Sequence, residues 1–176
     1  MNVRAIFGIG VLMSFVSAAI LAKLYAWPWL RAKERREALV PLIAPHMFLR
    51  FVGLSFLIPG VVSPALPAAF AVPAAYGDFA AGVLAIVATV ALARRASSAL
   101  AWVWAFNVWG AADLLLAFYE AARAGIGAHP GMFGAAYYIP AAIVPLLLVS
   151  HVLIFRLLLR APAWHTSDSV TAAQHG

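Results

Sequence analysis

Apolar residues fall along this chain in five long blocks, separated by short charged or Gly/Pro-bearing breaks. Each block reaches the roughly 20 residues that an α-helix needs to cross a bilayer. The first predicted span is Ala5–Trp29, stopped by Pro28 and the charged stretch Arg31-Ala-Lys-Glu-Arg-Arg-Glu37. The second runs Leu39–Val62 and ends around Pro59-Gly60, and the turn Ser63-Pro-Ala-Leu-Pro67 leads to a third, Ala68–Ala93. Arg94-Arg95 joins this to a fourth, Ser98–Ala122, and a loop holding Gly125, Gly127, His129, Pro130 and Gly131 leads to a fifth, Tyr137–Leu159. The expected fold is an all-α integral membrane domain of five transmembrane helices over residues 1–160, with a polar, flexible tail over 161–176.

Composition fits that pattern. Of the 176 residues 65% are hydrophobic and only 10% are charged, and mean hydropathy is +0.96. A soluble domain carries about 25% charged residues, so this chain lacks the polar surface to dissolve. A net charge of +6 would suit nucleic acid, but the basic residues stand at block ends and form no basic face interleaved with aromatics. No nucleic-acid partner is expected; the partner is the lipid bilayer.

The basic residues also give an orientation. With five spans, Arg31, Lys33, Arg35, Arg36, Arg94, Arg95, Arg156 and Arg160 fall on one side, and only Arg4 and Arg123 on the other. Basic loops favour the cytoplasm, so the N-terminus is expected outside and the C-terminus cytoplasmic, in a bacterial inner membrane. The small residues of Ser14–Ala19 would suit signal-peptide cleavage, but the block is long for that role and its strongest positive charge follows the apolar run. It is expected to be retained.

The chemistry lies in polar residues inside the apolar blocks, which are expensive in hydrocarbon and mark function by default. His46 and Arg50 lie one turn apart on the second span and Gly53 continues their face, so that a ligand, a cation and a gap line up. His151 on the fifth span lies within a turn of His46 in depth. Asp78 on the third span and Asp113 on the fourth lie near the midplane, where either could pair with Arg50, and Asn107 lies nearby. The fourth span repeats Trp102, Phe106, Trp109, Asp113 and Glu120 along one face, an aromatic stripe suited to packing or to a flat ligand. Asp78, Gly82, Ala85 and Thr89 form a small-residue stripe suited to close helix approach, and a homodimer is expected to use such surfaces.

In placing one histidine on each of two spans at matching depth, the chain resembles membrane b-type cytochromes. The resemblance is architectural and covers only the two helices that carry His46 and His151. It implies one haem b with these two as axial ligands, a propionate on Arg50 or Arg156, and electron transfer, with quinol as a natural redox partner. Two other expectations stand beside it. One is a proton or small-solute channel or transporter lined by Arg50, Asp78, Asn107, Asp113 and His151. The other is an accessory subunit whose buried charges only set helix register.

Absences narrow the field further. With no cysteine there is no disulfide, thiolate-ligated haem or cysteine-held iron–sulfur cluster. The chain has no phosphate-binding loop, His-Glu-x-x-His pair, nucleophile elbow or array of regularly spaced arginines. His129 is expected in a solvated loop, and His165 and His175 in the tail.

Overall fold

A computed structural model describes residues 2–160. Five helices are long and apolar enough to cross a membrane: Val3–Arg31, Arg35–Leu57, Ala68–Ala93, Ala99–Arg123 and Ile139–Leu158. No strand occurs among the described residues, only an isolated bridge between Pro59 and Val62. The helices form an up-and-down bundle that gathers Arg31, Arg35, Arg94 and Arg160 at one end, called here the Arg-rich end. The expected tail at 161–176, with His165 and His175, lies outside the described residues.

Prolines set the finer geometry. A proline has no N–H for the carbonyl four residues back, so the α ladder is interrupted around it. After α1 (Val3–Leu21) the chain widens into a π turn over Ala22–Ala26, just ahead of Pro28 in the short α2 (Trp27–Arg31). The fifth helix does the same, with a π turn at Ile139–Ile143 just ahead of Pro145 in α7 (Val144–Leu158). The start of α1 at Val3, two residues before the expected bound, comes from its cap: Arg4 N–H donates to Asn2 Oδ1 at 2.7 Å.

The second helix is the most broken. It comprises α3 (Arg35–Ile43), a lapse at Ala44-Pro45, α4 (His46–Leu49) and a 3-10 segment over Phe51–Leu57. A 3-10 helix rises about 2.0 Å per residue against 1.5 Å for α, so fewer residues cover the same depth. Ile58 is extended (φ −95, ψ 114), as the residue before a proline tends to be. The helix therefore stops at Leu57 and does not reach Val62.

The third and fourth helices, α5 (Ala68–Ala93) and α6 (Ala99–Arg123), are regular and pack closely on each other. The expected small-residue stripe of α5 faces inward. Asp78, Gly82 and Ala85 are buried within the chain, and the Phe51 ring occupies the space where Gly82 lacks a side chain. The stripe therefore seats the irregular second helix and does not present a surface to another copy. α1 is peripheral: Ala18 is its one buried residue, and it rests on α7 and the 139–143 turn.

Two apolar cores flank a polar middle. Toward the Arg-rich end lie Leu39, Ile43, Ala88, Val103, Ile154 and Leu157. Toward the other end lie Phe56, Phe70, Phe133, Leu114, Ile126 and Leu147.

Candidate functional site

The polar residues between these cores converge on one guanidinium. Arg50 is fully buried. Its Nη1 donates to Asp78 Oδ1 at 2.6 Å and to Asp113 Oδ2 at 2.8 Å. Its Nη2 donates to the Gly110 carbonyl at 2.6 Å and to His151 Nε2 at 3.0 Å. Four of the five guanidinium N–H groups are thus engaged, and Nε is left without a partner.

The hydrogen-bond pattern assigns the tautomers. Asn107 Nδ2 donates to the His151 carbonyl at 3.2 Å, so its Oδ1 is free to accept from His151 Nδ1 at 2.7 Å. His151 is then a neutral imidazole with its proton on Nδ1, and Nε2 presents the lone pair that Arg50 addresses. Ser150 Oγ donates to the Leu147 carbonyl at 2.8 Å, so His46 Nε2 donates to Ser150 Oγ at 2.7 Å. His46 Nδ1 therefore carries a buried lone pair with no donor.

Each element contributes by its local form. The lapse at Pro45 and the tightened helix after it bring His46 and Arg50 inward from the second helix, where both are fully buried. α5 supplies Asp78, which lies over Gly53; α6 supplies Asp113, which lies over Gly77 of α5. Gly110 has no side chain where the His151 ring and Arg50 Nη2 sit, so the α6 backbone itself can receive the guanidinium. The arrangement holds one fixed positive charge against two carboxyl groups, and both acid side chains are 9% exposed. They border a cavity of about 30 Å³, roughly the room needed for a water or two, whose other walls include Phe56, Phe70, Phe118 and Phe133.

The structure brings together His46, Arg50, Asp78, Asn107, Asp113 and His151, but in an arrangement that differs from the expected haem site. Metal–nitrogen bonds of about 2 Å on either side of an iron would hold two imidazole centroids at roughly 6 Å. The His46 and His151 centroids are 4.5 Å apart. Both nitrogens of His151 are engaged, as are all the Nη hydrogens of Arg50, so neither a haem iron nor its propionate fits the residues as they are placed. The expected gap at Gly53 is filled by the Asp78 side chain. Arg156 is remote from the cluster in kind: it is exposed and lies 4.1 Å from the centroid of the Trp27 ring.

The aromatic stripe of the fourth helix also divides. Phe106 is fully buried against both imidazoles, whereas Trp102 and Trp109 are exposed, the latter donating from Nε1 to the Gly77 carbonyl at 3.3 Å. Glu120 pairs with Arg123 at 3.5 Å, near the surface. His129 is exposed. Among the described residues no group of three or more His, Cys, Asp or Glu is placed to hold a metal ion.

Ser150 and the Gly110 carbonyl are parts of the site that sequence reasoning did not reach. A lone serine in an apolar helix ordinarily bonds its own preceding turn, as Ser150 also does with Leu147. A main-chain carbonyl leaves no mark in a sequence beyond the glycine that exposes it.

Comparison with curated proteins finds no match, and comparison with solved structures finds none either. Residues 6–159 match the model of a domain of unknown function, DUF8737, and the chain belongs to that family.

Proposed function

We propose that this protein conducts protons across a membrane, with the Arg50 cluster as the station at which a proton binds in mid-bilayer. The observation that carries this reading is the second carboxyl. One guanidinium neutralises one of Asp78 and Asp113, and the other needs a proton or cation to remain in a medium that charges enter only at high cost. A purely architectural ion pair would need a single acid.

The Arg-rich end would face the cytoplasm, for example at a bacterial inner membrane. Protons would then reach Asp78 and Asp113 from the outer half, through the phenylalanine-walled cavity. Arg50 holds both carboxyls and Gly110 together, so protonation of either acid loosens one arm of its grip. His151, His46 and Ser150 are the next acceptors inward. The aliphatic core below them, around Ile43, Val103 and Ile154, would have to part for release.

Reconstitution into liposomes that enclose a pH-sensitive dye tests this. Under an imposed pH gradient and with potassium-clamped potential, wild-type vesicles should collapse the gradient faster than protein-free ones. Asp113→Asn, which removes the extra acid but keeps a side chain of the same shape, should return the rate to the protein-free level. Equal rates for wild type and Asp113→Asn would overturn the proposal. A Soret band in the purified wild type that disappears in both His46→Ala and His151→Ala would replace it with the cytochrome reading.

A further inference from the structure

At the Arg-rich end some basic side chains are tied to the protein. Arg160 Nη1 donates to the Arg31 carbonyl at 2.8 Å, and Arg35 Nη2 donates to the Arg160 carbonyl. Lys33 Nζ lies 4.7 Å from the centroid of the Trp29 ring. Lys23 and Arg156 are set apart by where they stand. Neither has an anionic or carbonyl partner among the described residues, and both line the same hollow between α1 and α7.

That hollow is large for so small a bundle, about 460 Å³, and Ala19 and Ala22 face Val149, Val152 and Leu153 across it. It adjoins a second hollow of about 200 Å³, with which it shares Ala22, Val149 and Leu153 and which continues to Leu146 and Ser150. From Arg156 to Leu146 the groove follows α7 for ten residue steps, about 15 Å along the helix at 1.5 Å each. Its form follows from local sequence. α1 and the π turn after it present Ala18, Ala19, Ala22 and Ala26 toward α7, too little volume to fill the space between the axes, and Lys23 of that turn and Trp27 just after it stand at the mouth.

We infer that this groove seats one anionic phospholipid. The phosphate would lie at the mouth between Lys23 and Arg156, and one acyl chain would run up the alanine-lined wall. Charge complementarity favours it. Two cations free of protein anions line one hollow toward the end richest in basic residues, and juxtamembrane cations attract acidic headgroups. Trp27 adds an interfacial ring that already holds the Arg156 guanidinium at its face, 4.1 Å from its centroid. A neutral lipid would fill the groove but leave both cations uncompensated. A free phosphate would meet the cations but leave the apolar wall open. This assignment is independent of proton conduction.

Native mass spectrometry of the detergent-purified full chain tests it, with dioleoylphosphatidylglycerol, dioleoylphosphatidylcholine or inorganic phosphate added. One phosphatidylglycerol should be retained in preference to phosphatidylcholine, and phosphate should not be retained. With each cation contributing about 1 kcal/mol to headgroup attraction, the Lys23→Ala/Arg156→Ala double variant should lose affinity about 30-fold. Ala22→Phe keeps both charges and fills the groove, and it should lower retention of the lipid as well. Arg94→Ala/Arg95→Ala, at the same end but away from the groove, should retain lipid as wild type does. Equal retention of the two lipids, equal losses in the two double variants, or full retention by Ala22→Phe would each overturn the inference.

Discussion

The two apolar cores of this bundle are built from different materials. The core toward the Arg-rich end is composed of alanine, leucine, isoleucine and valine, with Phe106 its one aromatic residue. The core at the opposite end is built around three phenylalanines, Phe56, Phe70 and Phe133, whose ring centroids lie 5.5 to 6.1 Å apart. The first lies between regular helices, α5 and α6 above all, whose small residues let backbones approach. The second lies where α5, α6 and α7 meet 3-10 segments, with Phe56 and Phe133 on the irregular backbone and Phe70 on α5, and it holds the cavity that reaches Asp78 and Asp113. A cavity walled by phenylalanines thus reaches the two carboxyls of the charged layer from one side, and the aliphatic core lies on the other. On the proton-conduction proposal, that contrast would give the site a more open approach from the phenylalanine side.

The strongest way to break this comparison is to remove the joint between the cores. Arg50→Met leaves Asp78 and Asp113 buried without their cation, and breaking a buried pair from one side costs about 3–5 kcal/mol. Most of the variant should lose its cooperative thermal transition in detergent. The triple variant Arg50→Met/Asp78→Asn/Asp113→Asn removes the orphaned charges and should recover much of that loss, a coupling that a double-mutant-cycle treatment of the melting data measures. If the triple variant is no more stable than Arg50→Met, electrostatics does not hold the layer together.

A sharper probe changes volume in each core. Phe133→Ala opens a void between rings that irregular backbone cannot close, at a cost of about 3–5 kcal/mol. Ala88→Leu, in the opposite sense, forces three added carbon atoms into a fully buried helix contact and should cost about 1–3 kcal/mol. Ala117→Val, which lines the cavity, should cost less than Ala88→Leu because space is already present. Melting temperatures that rank Ala117→Val below Ala88→Leu would contradict the packing contrast.

Much of this was legible in the chain. The five spans follow from the lengths of the apolar blocks, and the polar residues that meet at the centre follow from the cost of placing them in hydrocarbon. The depth match of His46 and His151 correctly brings their rings together. Depth alone, however, does not specify how near they come or what they bond. The contact is closed by Ser150, the Gly110 carbonyl and the paired amide of Asn107, none of which produces a periodic signal. The form of the second helix is the least legible, because hydropathy is indifferent to whether Phe51–Leu57 winds as α or 3-10. The prolines at 28, 45 and 145 mark departures from the α ladder, but these take two forms, a π turn before Pro28 and Pro145 and a lapse followed by tightening around Pro45, while Pro41 and Pro73 lie inside α3 and α5.

The smallest expected effect lies in the turn that closes the aliphatic core. α5 ends at Ala93, and Arg95 takes a left-handed conformation with φ of 51, the single non-glycine residue with positive φ among those described. Its N–H donates to the Leu92 carbonyl at 3.1 Å, and Ala96 N–H donates to the Ala91 carbonyl at 3.0 Å, so the reversal is fixed by helix-terminating bonds that glycine favours at this position. A side chain there crowds its own carbonyl, a strain of roughly 1–2 kcal/mol that glycine avoids, while glycine adds freedom to the unfolded chain. Arg95→Gly should therefore raise stability by about 0.5–1 kcal/mol, a small upward shift in melting temperature. Arg95→Ala keeps the strain and removes the same charge, so it should give no such gain. If both variants melt together, the residue is held there by its charge and its backbone geometry contributes little. If only glycine stabilises, the chain tolerates strain to keep a basic residue at the Arg-rich end.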